Sequence, residues 1–196
     1  MTPYFFGYGS LVNRQTHTYP DAQPAKLHGW RRAWVRTPER DIVYLTVVQD
    51  PSTTIDGLIA AVPDADWDAL DEREYGYARH DSEQAVAHNL NPAPNIAHYA
   101  IPIAETGVAG DHVILLSYLD VVIQGFLREF GIDGVAQFFA TTDGWDTPVL
   151  DDRDAPLYPR HQALTSTEIS LVDNHLSQLS ARIKQRHETA FTAKNF

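Results

Sequence analysis

The chain has 196 residues, of which 43% are hydrophobic and 11% aromatic, enough for an ordinary globular core. Its 15 Lys and Arg against 26 Asp and Glu give a formal net charge of -11, which argues against nucleic acid or an anionic membrane surface as a partner. No cysteine is present, so disulfides, thiol nucleophiles and CxxC zinc sites are excluded, and the expected ligand is a small molecule.

The sequence predicts one cytoplasmic domain spanning 1–196. The opening MTPYFFGYGS has neither a basic stretch nor the apolar run of a secretory signal, and no later run reaches the roughly 20 apolar residues of a membrane span. We expect a core over about 4–140, followed by a C-terminal loop and helix over about 141–196. The oligomeric state stays open.

The first half of the chain is rich in short segments typical of β-strands. These segments are aromatic or β-branched and are separated by turn residues, and they lie at 4–8, 32–36, 42–48, 57–62 and 97–103. They predict one sheet or barrel of five or six strands. Because helical periodicity follows in the second half, the expected fold class is α+β.

The first strand runs into the glycine-containing stretch YFFGYGSL at residues 4–11. Gly7 and Gly9 flank Tyr8, where glycine permits positive φ and close approach, and Ser10 adds a hydroxyl beside exposed N–H groups. Two interpretations stay open, an anion-binding nest and a tight turn with buried aromatic residues. The stretch is neither GxGxxG nor a P-loop, which carries a lysine.

The segment PDADWDALDEREYGYARH at 63–80 predicts a short helix that begins at Pro63 or Asp64. Trp67, Leu70 and Glu74 stand at i, i+3 and i+7, so the Glu74 carboxylate continues an apolar stripe. A carboxylate turned inward either pairs with an arginine or has its pKa raised by desolvation, which suits a general acid/base. From the pattern alone, the structural role is favoured.

Two helices are predicted in the second half. The first begins with Ser117 as N-cap, ends at Gly131 and carries a stripe at Tyr118, Leu119, Val122, Ile123, Phe126, Leu127 and Phe130. The second, over about 165–187, begins with a capping box at Thr165 and Glu168, and its stripe comprises Ile169, Val172, Leu176, Leu179 and Ile183. That stripe either packs on the sheet or forms an interface, and packing is the simpler interpretation.

The connection between these helices is too long for a simple turn. Its segment from Gly144 to His161 either closes over a site or is a charged surface loop, and the surface loop is favoured. Adjacent carboxylates with one distant histidine are common on surfaces, so Asp151, Asp152, Asp154 and His161 are not interpreted as a metal site.

Four motifs together resemble the γ-glutamylcyclotransferase-like proteins, and the ChaC-type branch more than the shorter branch of that family. FGYGSL resembles the family's substrate loop, and LDEREYGYAR resembles its segment with the catalytic glutamate. GWRRAW at 29–34 and SYLDVVIQGFLREFGI are also similar to family segments. The resemblance covers roughly 4–140 in the right order.

The resemblance implies a mixed β-barrel or sheet with packed helices and a helical C-terminal extension. It also implies a reaction in which the substrate's α-amine attacks its own γ-carbonyl, releasing 5-oxoproline without a metal or cofactor. Glu74 would be the general acid/base, and the backbone of Tyr8, Gly9, Ser10 and Leu11 would bind the glutamyl part, with Tyr118 hydrogen-bonding the substrate. Tyr118 is equally well interpreted as a core aromatic residue.

The chain departs from the family pattern after YGSL, where Val12, Asn13 and Arg14 replace an apolar or aromatic pair, so the pocket rim is expected to differ. Three functions stay open. The first is a cyclotransferase for a γ-glutamyl compound, with glutathione as a candidate. The second is a cyclotransferase for a γ-glutamyl amino acid or γ-glutamylamine. The third is a non-catalytic module that binds a small molecule or, through the helix 165–187, a protein.

Overall fold

A computed structural model describes residues 1–38, 42–102 and 112–188, and its centre is a seven-stranded mixed sheet. The two long strands are β2 (Gln23–Arg36) and β3 (Val43–Ala61), which pair antiparallel from Gln23 opposite Ile59 to Arg36 opposite Val43. The register shifts between His28 and Trp30, where Gly29 has a φ of 79°. A glycine therefore sits at the irregular point of the longest strand pair.

The segments predicted as separate strands at 42–48 and 57–62 are one continuous strand, β3. The polar residues between them look like a turn in the sequence. In the structure they lie opposite the irregularity at Gly29, and the Asp50 carboxylate accepts hydrogen bonds from the Ser52 and Thr53 hydroxyls. Local hydrogen bonding thus carries the strand through a stretch with low strand propensity.

The remaining strands of the sheet are short. Strand β1 (Tyr4–Gly7) pairs antiparallel with β3 and parallel with β6 (Ile96–Ala100), and β4 (Ala78–Asp81) lies beyond β6 at the edge. On the other side, β2 pairs with β5 (Val86–Ala87) and with β8 (Thr142–Asp143). The order is β4-β6-β1-β3-β2-β5, curled into a half-barrel, which confirms the predicted mixed α+β fold. The predicted strand 97–103 extends to Ile103, which lies outside the described residues.

A second, parallel sheet ties the C-terminal region to the body of the fold. It consists of β7 (Ile114–Leu115), β9 (Val149–Asp151) and β10 (Ile183–Gln185), in the order β10-β9-β7. The apolar stripe in the sequence predicts that Ile183 belongs to the last helix. That helix, α3 (Ser166–Gln178), has Leu179 as its C-cap, and Ser180 has a φ of 53°, so the chain turns into β10 instead.

The predicted capping box of α3 is present, with the Thr165 and Glu168 side chains each bonded to the other's backbone N–H. Val172 and Leu176 are buried in the main core, which confirms that the apolar stripe packs on the domain. Leu179 and Ile183 lie past the helix and are exposed.

The longest helix is α2 (Leu116–Ala140). Gly131, the predicted stop, has a φ of 68° and a ψ of -167°, and it separates two helical stretches, the second of which the sequence analysis missed. The N-cap is Leu115 rather than Ser117, because the Asp152 carboxylate takes over the capping bond to the Ser117 N–H. No helix in the described ranges is long and apolar enough to cross a bilayer.

Candidate active site

A cavity of about 280 Å³ opens where β3, the end of the short helix α1 (Asp68–Arg73), the start of α2 and the segment before α3 meet. A second, smaller cavity of about 30 Å³ lies against the loop after β1. The two cavities share the side chains or backbone of Ser10, Leu45, Glu74, Tyr77 and Tyr118. The structure therefore brings the glycine-containing stretch, the candidate glutamate and the candidate tyrosine together in one place.

The loop after β1 continues into a 3-10 turn at Ser10–Val12. Neither Gly7 nor Gly9 has a positive φ, so the expected reason for these glycines is wrong in that respect. Close approach is the reason instead. A Cβ on Gly7 would lie 2.5 Å from the Leu11 Cβ, and one on Gly9 would lie 2.7 Å from the Tyr118 hydroxyl.

A buried arginine fixes the loop from below. Arg32 is fully buried, and its Nε donates to the Tyr8 carbonyl oxygen at 2.9 Å, while its other nitrogens donate to the Thr141 hydroxyl and the Asp56 carbonyl oxygen. Desolvation lowers the pKa of this guanidinium to about 9. Its hydrogen-bond acceptors are neutral oxygens, so their dipoles stabilise the positive charge of Arg32. The ring faces of Phe126 and Phe138 stabilise it as well, with centroids 4.8 and 5.0 Å from the Arg32 Cζ.

The three residues that depart from the family pattern anchor the loop to α2 and do not line either cavity. Val12 is fully buried in the core. The buried Asn13 amide donates to the Val121 carbonyl oxygen and the Gln124 side chain, each at 3.0 Å, and Arg14 pairs with Glu129 at 2.6 Å. These three residues were expected to change the pocket rim. They instead determine how the loop after β1 packs against α2.

Helix α1 (Asp68–Arg73) is shorter than predicted. Pro63–Ala65 forms a separate 3-10 turn, because Asp64 and Ala65 both have a φ of 55° and cannot continue an α-helix. Glu74 is the C-cap of α1, with its N–H bonded to the Leu70 carbonyl oxygen at 2.9 Å. The helix end thus points the carboxylate of Glu74 into both cavities.

Both alternatives considered for the Glu74 carboxylate occur together. It lies 3.3 Å from the Arg73 Nε, yet burial raises its pKa above the usual value, and the nearby Arg73 and Arg160 cations only partly oppose this. Its side chain is 19% exposed, so it is shielded while still reaching the cavity. The expectation was that Trp67, Leu70 and nearby aromatic residues bury the carboxylate. Trp67 and Leu70 instead pack with Phe5 and Tyr99, whereas aromatic residues, all but one of them tyrosines, do line the smaller cavity with Glu74.

Tyr118 lies in the first turn of α2, and its side chain faces the loop rather than the core centre. Its hydroxyl lies beside the backbone at Gly9, and burial raises the pKa of the phenol. Its ring packs edge-on against Tyr158, with centroids 5.0 Å apart. Tyr118 is therefore a half-buried residue of the cavity wall that also packs on the core.

The end of the segment Asp152–Arg160 lines the larger cavity through Tyr158, Pro159 and Arg160, which corrects the favoured interpretation of Gly144–His161 as a surface loop for that part. Asp152 is 1% exposed, and its carboxylate accepts from the Ser117 N–H at 2.7 Å, the Ser117 hydroxyl at 2.5 Å and the Leu157 N–H at 2.9 Å. These bonds fasten the segment to the start of α2. They thereby place Tyr158, Pro159 and Arg160 on the cavity.

Several residues that line the larger cavity were not predicted as site residues, and among them are Arg73, Tyr77, Tyr158 and Arg160. Arg73 and Tyr77 lie close to Glu74 within the motif LDEREYGYAR, so their positions in the sequence could have indicated that they belong to the site. Tyr158 and Arg160 lie more than 80 residues further along, where α2 and β9 bring them back, and periodicity carries no sign of this.

Comparison with known proteins identifies one family and several solved structures of similar fold. The model of the family described as "ChaC-like protein" matches residues 3–114, more than half of the chain. A solved γ-glutamyl cyclotransferase is similar at a TM-score of 0.55 and 14% identity, covering 87% of this chain and 98% of that protein. An uncharacterized Homo sapiens protein (TM-score 0.53, 14% identity) covers 87% and 97%, and YkqA from Bacillus subtilis (0.53, 16%) covers 73% and 56%. At these identities the likeness concerns the fold alone. No match was found among curated proteins.

Proposed function

Because the chain belongs to the ChaC-like protein family, we propose that it is a γ-glutamylcyclotransferase that converts a γ-glutamyl compound to 5-oxoproline and a free amine. The observation that supports this most is the position of Glu74. A desolvated carboxylate, the loop Gly7–Leu11 and the Tyr118 hydroxyl meet at two adjoining cavities. That combination suits a reaction that needs a bound, oriented substrate and one proton carrier.

The reaction forms one C–N bond and breaks another. The α-ammonium of the substrate gives a proton to the Glu74 carboxylate, and the resulting amine attacks the γ-carbonyl carbon to close a five-membered ring. The Glu74 carboxylic acid then protonates the departing nitrogen as its C–N bond breaks. The ring nitrogen then gives its second proton to the Glu74 carboxylate, which passes it to the departing amine. The amine therefore leaves as an ammonium ion, and Glu74 ends as the carboxylate it was at the start.

The raised pKa of Glu74 fits this double task. A carboxylate with an ordinary pKa is a weak base toward an ammonium group, and a buried one accepts the proton more readily. It still ionises, because Arg73 favours the charged form at 3.3 Å. This route needs no metal, cofactor or protein nucleophile, and the intramolecular attack gains from orientation, with effective molarities of roughly 10⁵ M or more.

The glutamyl part of the substrate is assigned to the smaller cavity. There the backbone of Tyr8, Gly9, Ser10 and Leu11 would bind the α-carboxylate, since the first N–H groups of a helical turn lack partners within that turn. The Tyr118 hydroxyl lines the same cavity beside the Gly9 backbone, so it would hydrogen-bond the bound substrate. Candidate substrates include glutathione, γ-glutamyl amino acids and γ-glutamylamines.

The test is mass-spectrometric detection of 5-oxoproline from purified protein with glutathione and a panel of γ-glutamyl dipeptides and amines. The Glu74→Gln variant is run alongside, because glutamine keeps the shape but carries no transferable proton of the right acidity. Product from the wild type and none from the variant would support the proposal. Folded protein that forms no 5-oxoproline from any member would overturn it in favour of a binding role.

A further inference from the structure

The two arginines on the larger cavity differ in how many hydrogen bonds and ion pairs their guanidinium groups make. Arg73 donates to the Thr16 carbonyl oxygen at 2.9 Å and pairs with Glu74, so its guanidinium is already engaged. Arg160 is exposed, and within the described ranges 1–38, 42–102 and 112–188 its guanidinium has neither a hydrogen bond nor an ion pair. It is nevertheless near enough to Glu74 to oppose the rise in that carboxyl's pKa.

Apart from Ser10 and the exposed carboxylate residue Glu72, the rest of the same cavity is aromatic and apolar. Five tyrosines line it, and they are Tyr44, Tyr75, Tyr77, Tyr118 and Tyr158. Two pairs pack edge-on, Tyr44 with Tyr77 and Tyr118 with Tyr158, which fixes the ring planes of the wall. Tyr75 is 76% exposed at the mouth, where its ring is open to contact with a bound molecule.

The position of the departing nitrogen is set by the mechanism. That nitrogen must lie at Glu74, because Glu74 gives it a proton. In an α-amino acid, the carboxylate and the side chain are both attached to the carbon next to this nitrogen. A cation near Glu74 can therefore meet the carboxylate directly, whereas the carboxylate of a dipeptide lies several bonds further out.

We propose that the leaving group is a single α-amino acid with an aromatic or large apolar side chain, whose carboxylate binds Arg160 and whose side chain packs on the tyrosines. This inference rests on the proposed function and narrows its substrate class. Arg160 offers a planar fork that suits a carboxylate, and in a chain of formal net charge -11 such a local cation is needed to attract an anion. The tyrosine rings offer contact area with little loss of side-chain freedom.

The test measures kcat/KM for 5-oxoproline release from four compounds. They are γ-glutamylphenylalanine, its carboxamide, γ-glutamylalanine and glutathione. The wild type should favour the phenylalanine acid over its amide by about tenfold, the effect of one charge-assisted contact at an exposed cation. It should favour that acid over the alanine compound by a similar factor, and over glutathione as well.

Two variants separate the parts of the site. Arg160→Gln should bring the acid-to-amide ratio close to 1, and this ratio is insensitive to any change in the pKa of Glu74, which affects both compounds alike. Tyr75→Ala should reduce the preference for phenylalanine over alanine and leave the acid-to-amide ratio intact. The matched control is Arg128→Gln, since Arg128 is 42% exposed and pairs with Glu168 outside the cavity.

The two proposals fail in different ways. If the wild type forms 5-oxoproline from all four compounds without preferring the phenylalanine acid, the substrate class is wrong and the reaction stands. Equal ratios in Arg160→Gln and Arg128→Gln would likewise overturn the assignment of Arg160. If none of the four compounds nor any other γ-glutamyl compound gives product, the proposed function itself fails, and this inference fails with it.

Discussion

The two sides of the cavity are built in different ways. On one side, the loop Gly7–Val12 presents backbone and is held by buried groups, among them Arg32 and Asn13. On the other side, the segment Asp152–Arg160 presents side chains, and its buried anchor is Asp152 at the start of the segment. The loop is enclosed, while Pro159 and Arg160 are exposed.

This difference fits the proposed function, in which each side binds a different part of the substrate. A glutamyl group is the same in every candidate substrate, so a rigid backbone surface fixed from below suits it. The leaving group varies, and side chains on an exposed segment can change without disturbing the core. The family match at 3–114 includes the loop and Glu74 but not the segment, so we expect the shared chemistry and the selectivity to lie in different parts of the chain.

The largest expected effect comes from replacing Glu74, whose carboxylate lies between the loop and the segment Asp152–Arg160. Glu74→Gln should lower kcat by roughly 10²- to 10⁴-fold, the usual contribution of a positioned acid/base, and should leave the fold intact. Steady-state release of 5-oxoproline measures this. Glu72→Gln is the control, because Glu72 is an exposed carboxylate on the same cavity. Equal losses in both variants would mean that general charge, not proton transfer, matters.

Gly9→Ala tests whether the enclosed side depends on bare backbone. A Cβ would lie 2.7 Å from the Tyr118 hydroxyl and 3.2 Å from the Leu45 Cδ2, so Tyr118 must move. We expect KM to rise about tenfold, with a smaller change in kcat. In the double variant with Tyr118→Phe, the clash is relieved and the Gly9→Ala effect should shrink. An unchanged KM in Gly9→Ala would make the loop a simple turn.

Asp152→Asn tests the outer side through its anchor. Asparagine keeps the shape, but its NH₂ group faces N–H donors from Ser117 or Leu157, which leaves a buried donor unpaired. We expect unfolding free energy to fall by about 1–3 kcal/mol and KM to rise, with binding of 5-oxoproline unchanged. Thermal melts and isothermal titration measure these quantities.

The control for the anchor is Asp154→Asn, because Asp154 is exposed two residues further along the same segment. It should behave like the wild type. A loss of 5-oxoproline binding in Asp152→Asn would show that the two sides of the cavity are not independent.

The smallest expected effect concerns stability and pH. Burial raises the pKa of Glu74 in the folded protein, so folding favours its protonated form. The stability that this form contributes is fully present below the pKa of the unfolded chain and is lost as pH rises through the folded-state pKa. The melting temperature of the wild type should therefore fall relative to Glu74→Gln between pH 4 and pH 8. A constant difference across that range would contradict the raised pKa.

Local patterns predicted the elements that local interactions determine. The capping box at Thr165, the break at Gly131 and the strands β1 and β6 could be found from the sequence. The short strands β4, β5 and β8 were not predicted. The continuous β3 could not, because pairing with β2 overrides the turn propensity of residues 50–54. The end of α3 at Gln178 was also missed because of strand pairing, since Ile183 pairs with Val149 of β9 and does not continue the helix.

The site was predictable to the extent that its residues belong to motifs. Glu74 and the loop Gly7–Leu11 could be found because each motif is continuous, although the pairing of Glu74 with Arg73 and its burial by tyrosines required the structure. Arg160 could not be assigned, since nothing near it in sequence carries a recognisable pattern. Its place depends on one buried carboxylate, Asp152, which looked like a surface residue among other acidic residues.

The docking of the loop on α2 also has a consequence for synthesis of the chain. Asn13 is made early, but its partners Val121 and Gln124 follow 108 and 111 residues later. A growing chain thus exposes the loop and its neighbouring aromatic residues long before their docking helix exists. We expect the glutamyl pocket to become native late, and chains released before α2 to be aggregation-prone, because contacts between distant parts of a sequence form slowly.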